Sequence, residues 1–267
     1  MTQAPHPVPT ADGIQDPTGP AAEHIVYDLT HFTLADMVRC GSELRHRVSQ
    51  SCSVEEAAQK ATRCLYEHCR DKTSNHRSCV LVRLFKTHPY GALSQELREI
   101  ADSMAAGAAL TSDTKCLTLL ASAGDEPQWN SRRTSKAHRC IPLISEAMVE
   151  EFPMIAQLIR QFGLTTAELL RMGPEIIKEL DQRRFGVFHV PVASGSPFIP
   201  AQQDFVARCG IASTLGFGGM LPDGDLFVLI IFTRVAIPVS TAEMFRTVAL
   251  NLKLGLLALL DKPVFAG

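Results

Sequence analysis

The sequence predicts an α+β fold, a sheet layered with helices, and three observations carry that prediction. The first is a hairpin. Residues 213–234 read STLGFGGMLPDGDLFVLIIFTR, two β-rich apolar runs joined at Pro222-Asp223-Gly224, where proline presets φ, aspartate tolerates the turn and glycine supplies a left-handed position. The second is the order of elements: two helices, alternating strands and helices, the hairpin, and a closing helix, which is not a regular βαβ series. The third is content, since 46% of the 267 residues are hydrophobic, enough for a real core.

Taken in order, residues 1–22 hold five prolines and no apolar run, which predicts a disordered leader and no signal peptide. Thr33-Leu34-Ala35-Asp36 and Ser53-Val54-Glu55-Glu56 each set a hydroxyl three residues before a carboxylate, predicting helix starts and helices near 34–50 and 54–71. SCVLVRLFKTH, residues 78–88, is β-rich and reads as a strand closed by Pro89 and Gly91. SQELREIADSMAAGAAL reads as a helix, KCLTLLASAG from Lys115 as a second strand, and Ile141 begins a short apolar return after a polar loop. SEAMVEEFPMIAQLIRQFGL is helical in pattern, with a kink or break at Pro153. Thr165-Thr166-Ala167-Glu168 is a further capping signature. FGVFHVPVASG reads as a strand and SPFIPAQQDFVARCG as a loop leading into a short helix. The last helix, from Thr241 to Leu260, begins at Ser240 and Glu243.

The glycines of LGFGGMLPDG pose a question of their own. A phosphate-binding loop leads from a strand into a helix whose amides face the anion, but DLFVLIIF follows Gly224, and that is a strand. Period-2 alternation sets Leu215, Phe217, Gly219 and Leu221 on one face and Gly216, Gly218 and Met220 on the other. Gly216 and Gly218 therefore mark a close approach by a helix, another backbone or a ligand.

A formal net charge of −2 and a pI near 6.5 leave no global footprint for nucleic acid or an acidic membrane. The apolar run Leu250–Leu260 is too short for a membrane span and is interrupted by Lys253. A cytoplasmic location is expected. The eight cysteines are expected to be free thiols in a chain of this size. Cys64 and His68 share a helix face as i and i+4 and could serve as two metal ligands, but with Ala57, Ala58, Ala61 and Leu65 they form one packing stripe. No metal site is assigned.

The polar cluster with a mechanism is WNSRRTSKAHRC, where Arg132, Arg133, Lys136, His138 and Arg139 crowd beside the sole tryptophan, Trp129. A ring and a guanidinium can clamp a flat or anionic ligand, whereas a solvated basic loop has the same composition. Phe188, His189, Phe198 and Phe205 suit a pocket wall or, singly, a core. His189 and His88 can bind haem or titrate near neutrality, yet a lone strand histidine is more often core. No nucleophile-and-base motif is present. The last helix carries Phe245, Val248, Leu252, Leu256 and Leu259 on one stripe and Leu250, Leu254 and Leu257 on another. The second stripe needs a partner, either the first helix through Leu34, Met37 and Val38 or a second chain.

With VLVRLF opening the sheet, FHVPV late, then GIASTLGFGGMLPDGDLFVLIIFTR and a closing helix, residues 24–260 resemble the GAF family of sensory domains. The resemblance implies an antiparallel sheet of five or six strands, with the first and last helices packed together on one side. On the other side it implies a small-molecule pocket covered by loops and short helices. It makes residues 23–262 a single sensory domain, with a helical insert near 145–183 that a compact member lacks. It implies non-catalytic ligand sensing in bacterial signal transduction, a homodimer through the terminal helices, and a downstream signalling protein. The ligand site falls where the basic loop meets the late phenylalanines, namely Trp129, Arg132, Arg133, His138, His189, Phe198 and Phe205, with Arg133 gripping an anion. The cyclic-nucleotide signature and a secure chromophore cysteine are absent, so ligand and cofactor stay unnamed. The competing reading is a thiol-dependent redox enzyme on the same scaffold, similar to free methionine sulfoxide reductases, using Cys116, Cys140 and Cys209.

Overall fold

A computed structural model describes residues 25–135, 138–161, 163, 165, 167–168 and 185–265. The leader 1–22 and most of the stretch between Gln161 and Phe185 lie outside the described residues. Among the described residues six α-helices, α1 (Leu34–Ser49), α2 (Val54–His68), α3 (Gln95–Met104), α4 (Glu146–Glu150), α5 (Pro153–Gln161) and α6 (Val239–Leu257), accompany six strands. The strands are β1 (Cys79–Pro89), β2 (Lys115–Gly124), β3 (Cys140–Pro142), β4 (Phe185–Val190), β5 (Ser213–Met220) and β6 (Leu226–Thr233). They form one sheet in the order β3-β2-β1-β6-β5-β4, antiparallel at every junction. The fold is thus the α+β arrangement expected, with the larger of the two strand numbers.

Local chemistry sets most boundaries. At α1 the amide of Asp36 donates to Thr33 Oγ1 at 3.1 Å and the Thr33 amide donates to the Asp36 carboxylate at 3.0 Å, a reciprocal capping box. At α2 Ser53 Oγ accepts from the Glu56 amide at 3.1 Å, but the Glu56 carboxylate takes the Cys52 amide instead. The hairpin turn closes with Leu221 N–H to Asp225 O at 2.8 Å and Gly224 N–H to Leu221 O at 3.0 Å, and Gly224 has φ 83°. The break expected at Pro153 is present: α4 ends at Glu150 and Pro153 opens α5, because a missing amide costs nothing at a first helical position. One boundary differs from expectation. The last helix starts at Val239 after Pro238, without a side-chain cap, so Ser240 and Glu243 do not start it. The Thr165–Glu168 hydrogen bonds are present at 2.7 and 3.1 Å.

The two faces of the sheet bury different things. On one face α2 packs on β1 and β2, α6 packs on β4 and β5, and α1 lies across both helices. Alternation sends Leu215 and Phe217 of β5, with Phe227, Leu229 and Ile231 of β6, into this layer. There they meet Phe245, Val248, Leu252 and Leu256 of α6. Phe245 stacks on Phe32 at 5.2 Å and tilts against Phe217 at the same distance. The α1 and α6 backbones run close together: a Cβ on Gly41 would meet Asn251 Nδ2 at 2.8 Å, and one on Gly255 would meet Val48 at 2.9 Å. The first and last helices therefore pack on each other, as the resemblance implied.

The second α6 stripe is not covered by α1. Leu250 and Leu254 are 40% and 42% exposed, and Leu34 and Val38 of α1 are themselves 67% and 59% exposed. Leu257 is half-buried against the core. Among the described residues no helix is long and apolar enough to cross a membrane.

Candidate functional site

The other face of the sheet carries a cavity of about 710 Å³, within the size range of small-molecule sites. Its floor is the outward parity of three central strands: Leu81, Arg83 and Phe85 of β1, Leu117 of β2, and Leu226, Val228, Ile230 and Phe232 of β6. One wall is the α4–α5 junction, with Phe152, Met154, Ile155 and Leu158. The opposite wall is Phe198 to Arg208, a proline-bounded loop running into a π-helical turn, and Trp129 closes the side. These walls come from short, irregular pieces because the long helices occupy the other face.

Aromatic rings meet edge to face around this space. Trp129 and Phe205 lie 5.7 Å apart, Phe205 and Phe232 4.9 Å, and Phe188 and Phe198 5.6 Å, the geometry ring quadrupoles favour. His138, held at φ 59°, sets its ring 5.8 Å from Phe152. A non-glycine residue in the left-handed region is uncommon and often found at binding sites.

Arg83 stands alone among the polar liners. Its Nη2 donates to the buried Ser135 Oγ at 2.8 Å. Its Nε is buried with no hydrogen-bond partner, and among the described residues no carboxylate lies within ion-pair distance of it. Burial pushes its pKa down to about 10. Directly across the β1–β2 ladder sits Ser122, whose Oγ is also buried without a partner. His138 is held below the usual histidine range by withdrawal from water and then by the charge of Arg83. The acidic liners are Glu126, which is ion-paired to Arg208, and Glu151 and Asp204. No serine, threonine, cysteine, lysine or tyrosine lines the cavity among the described residues.

Of the seven residues expected to form the site, Trp129, His138, Phe198 and Phe205 line the cavity together. The other three do not. Arg132 is buried and paired with Glu55 of α2, Nε to Oε1 at 2.5 Å, with its guanidinium 4.6 Å above the Phe265 ring. The basic loop thus sends this arginine toward the helix layer, where it ties the loop to α2. Arg133 is exposed and outside the lining. His189 points to the other face by strand parity, where burial lowers its pKa against the opposing effects of the Ile237 backbone and Glu243. Lys136 lies outside the described residues.

The remaining candidates also resolve. Cys116 and Cys140, both wholly buried, adjoin on β2 and β3 in a small cluster beneath α3. The hydrogen bond between them and burial hold the Cys116 thiol far up, while that bond draws Cys140 down. They face away from the cavity, since Leu117 and Leu119 take the cavity parity of β2. Cys209 is half-buried behind the cavity wall. Cys64, His68 and Glu43 come within 4.8 Å of one another. Glu43 also accepts from Tyr27 Oη at 2.7 Å and pairs with Arg47 at 2.6 Å, so these side chains belong to a part-buried hydrogen-bonded group. His88 is buried beside the Phe265 ring at 6.0 Å.

Sequence reasoning missed Arg83 and the α5 wall. The one available signal was a single charge inside the apolar run VLVRLF, at the parity opposite Val82 and Leu84.

No family model matches the sequence, and no curated protein matches it. Solved structures similar to the chain include the phycoerythrobilin-bound GAF domain of a cyanobacterial phytochrome, 13% identical, covering 83% of this chain and 96% of that one with a TM-score of 0.39. Another is the N-acylhomoserine lactone-dependent LuxR-family transcription factor CepR2 of Burkholderia cenocepacia, 12% identical over 85% of this chain and 96% of that one, TM-score 0.39. A third is the photosensory core module of the Stigmatella aurantiaca phytochrome, 11% identical over 86% of this chain and 38% of that one, TM-score 0.39. The architecture described above stands on this chain's own strand pairing and layers.

Proposed function

We propose that this chain is a non-catalytic sensing domain of bacterial signal transduction, in which a small molecule fills the cavity and the terminal helices carry the response. The observation behind the reading is the cavity itself: a mainly apolar space of about 710 Å³ with a sheet floor, irregular walls, and no serine, threonine, cysteine, lysine or tyrosine among its described liners. Such a space is suited to hold a molecule. It offers a histidine and carboxylates but no hydroxyl, thiol or amine nucleophile among its described liners.

The response would leave through the opposite face. α1 and α6 pack closely on each other, and their exposed leucines and valine offer a surface for a second copy of the chain. A cytoplasmic location fits this reading. Binding of the apolar dye N-phenylnaphthylamine tests it. Saturable fluorescence enhancement is expected in the wild type and its loss in Val228→Trp, which fills the floor, with an unchanged circular dichroism spectrum. Equal binding by both proteins would remove the cavity as the site.

The thiol redox enzyme has one observation in its favour, the adjacency of Cys116 and Cys140. Both are wholly buried and turned from the cavity, whereas reactive thiols sit exposed in electropositive surroundings. Thioredoxin-dependent reduction of a sulfoxide, lost in Cys140→Ser, would reinstate that enzyme in place of the sensor.

A further inference from the structure

Resting on the sensing reading, we infer that the cavity takes an apolar monocarboxylic acid whose carboxylate pairs with Arg83. The argument begins with the cost of leaving this guanidinium as it stands. Arg83 projects from the middle of β1, between Leu81 and Phe85, onto a floor that is otherwise entirely aliphatic and aromatic. A guanidinium carries five N–H donors and keeps its charge under all physiological conditions. Here one N–H meets the Ser135 hydroxyl, and the Nε–H meets nothing. Arg83 is half-buried with its Nε withdrawn from water, and a charge placed this way without a counter-charge is unfavourable, so folded proteins tend to pair such groups or bind them to a ligand.

No described residue supplies the missing anion. Glu126 lines the same cavity but is committed to Arg208, and neither Glu151 nor Asp204 comes within ion-pair distance of Arg83. The chain has solved a similar problem elsewhere in the usual way: Arg132, more fully enclosed than the half-buried Arg83, has Glu55 on its Nε. The contrast between the two arginines marks Arg83 as a site built for an incoming partner.

The neighbours narrow the chemistry. Ser122 Oγ, opposite Arg83 on the ladder and unpartnered, lies on the same sheet face but outside the cavity lining. His138, which lines the same cavity, offers a ring N–H. A planar carboxylate matches the guanidinium fork in a bidentate pair. The uncommitted Glu151 and Asp204 in the lining disfavour a dianion such as a phosphate monoester. The body of the ligand is set by Trp129, Phe152, Phe198, Phe205 and Phe232, which offer ring faces and edges and hardly any hydrogen bonding. A linear fatty acid and a fused-ring aromatic acid share this chemistry.

Displacement of N-phenylnaphthylamine separates the outcomes. Dodecanoate and naphthoate are each compared with their primary amides, on the wild type and on Arg83→Gln and Arg83→Met. At least one acid is expected to displace the dye tenfold or more better than its amide from the wild type. In both variants the acid and amide should become equal while dye affinity is kept. Which acid wins identifies the aliphatic or aromatic source. If neither acid exceeds its amide, or if the preference survives in the variants, the inference is overturned and the sensing reading stands. If the dye itself does not bind in the cavity, both fall. A second readout does not depend on ligand choice. Ligand-free Arg83→Met is expected to melt above the wild type, because an unpaired charge is removed; melting well below it would show that Arg83 is already paired within the chain, which also overturns the inference.

Discussion

Replacing Gly218 with alanine should damage this fold far more than the same change two residues earlier, at Gly216. Both glycines lie in β5 with negative φ, so neither is needed for a left-handed turn. A methyl at Gly218 would land on the Phe227 carbonyl oxygen and lie 3.0 Å from Phe227 C and from Val228 Cα. All three are backbone atoms of β6, which is hydrogen-bonded to β5 on one side and β1 on the other and cannot shift alone. Overpacking costs typically about 1–3 kcal/mol, and each ladder hydrogen bond broken to make room adds about 1 kcal/mol. A total of about 3 kcal/mol, at about 2–4 °C per kcal/mol for a domain of this size, lowers Tm by about 6–12 °C. A methyl at Gly216 meets only side chains, Leu158 at 3.5 Å and Phe188 at 3.6 Å, which is ordinary contact. There the reduced freedom of the unfolded chain stabilises by about 0.4–1 kcal/mol, so Tm should hold or rise slightly. Thermal and urea unfolding of both variants by circular dichroism decides the matter. Equal midpoints, or a larger loss at Gly216, would refute the assignment of Gly218 to a backbone approach and of Gly216 to helix packing.

Burial, reinforced by Lys86, lowers the His88 pKa to about 3, so between the ordinary histidine value of about 6.5 and that lower value the unfolded chain holds a proton that the folded chain lacks. Stability should therefore fall as pH drops below 6.5, by about 2 kcal/mol at pH 5 from this residue, and urea midpoints of His88→Phe should show a shallower slope by that amount. Leu254→Glu places a charge in the exposed α6 stripe, and sedimentation equilibrium should turn a wild-type dimer into a folded monomer; a wild type that stays monomeric at tens of micromolar rules out this interface.

The sequence made the fold legible wherever the code is local. The capping box at Thr33, the Pro-Asp-Gly turn and the alternation of β5 each follow from neighbours within a few residues, and each stands in the structure. The question of the two glycines needed a contact across the chain: Leu158 beside Gly216 comes from α5, and Phe227 beside Gly218 comes from β6. Of the residues read as a candidate site, the aromatics that line the cavity, Trp129, Phe198 and Phe205, stand out in polar loops, whereas Arg132 and Arg133 fall outside the lining. In a loop of four cationic residues and a histidine nothing local distinguishes an arginine that turns inward to Glu55 from one that faces solvent, and Arg132 and Arg133 are adjacent with opposite fates.

The two faces of the sheet are connected by the strands they share, which bears on how a bound molecule would be felt at α6. Along β5, Gly216 abuts Leu158 and Phe188 on the cavity side, and the next residue, Phe217, reaches the Phe245 ring of α6 at 5.2 Å. Leu158 itself lines the cavity from α5. With no side chain at Gly216 to hold the two layers apart, displacement of Leu158 by an occupant would press on the β5 backbone rather than on a compressible side chain. The close contacts of Gly255 with Val48 and of Gly41 with Asn251 leave α6 little room to move without α1, so a shift received at Phe245 would be passed on as a movement of the helix pair, a small translation of packed helices of the kind that switches subunit interfaces. The exposed Leu34, Val38, Leu250 and Leu254 lie on that same pair. A ligand acting this way must favour one arrangement of α5 over another, so dye binding should change the sedimentation behaviour of the wild type and leave that of Val228→Trp unaltered. Binding without any such change would confine the response to the cavity and separate ligand capture from the terminal helices.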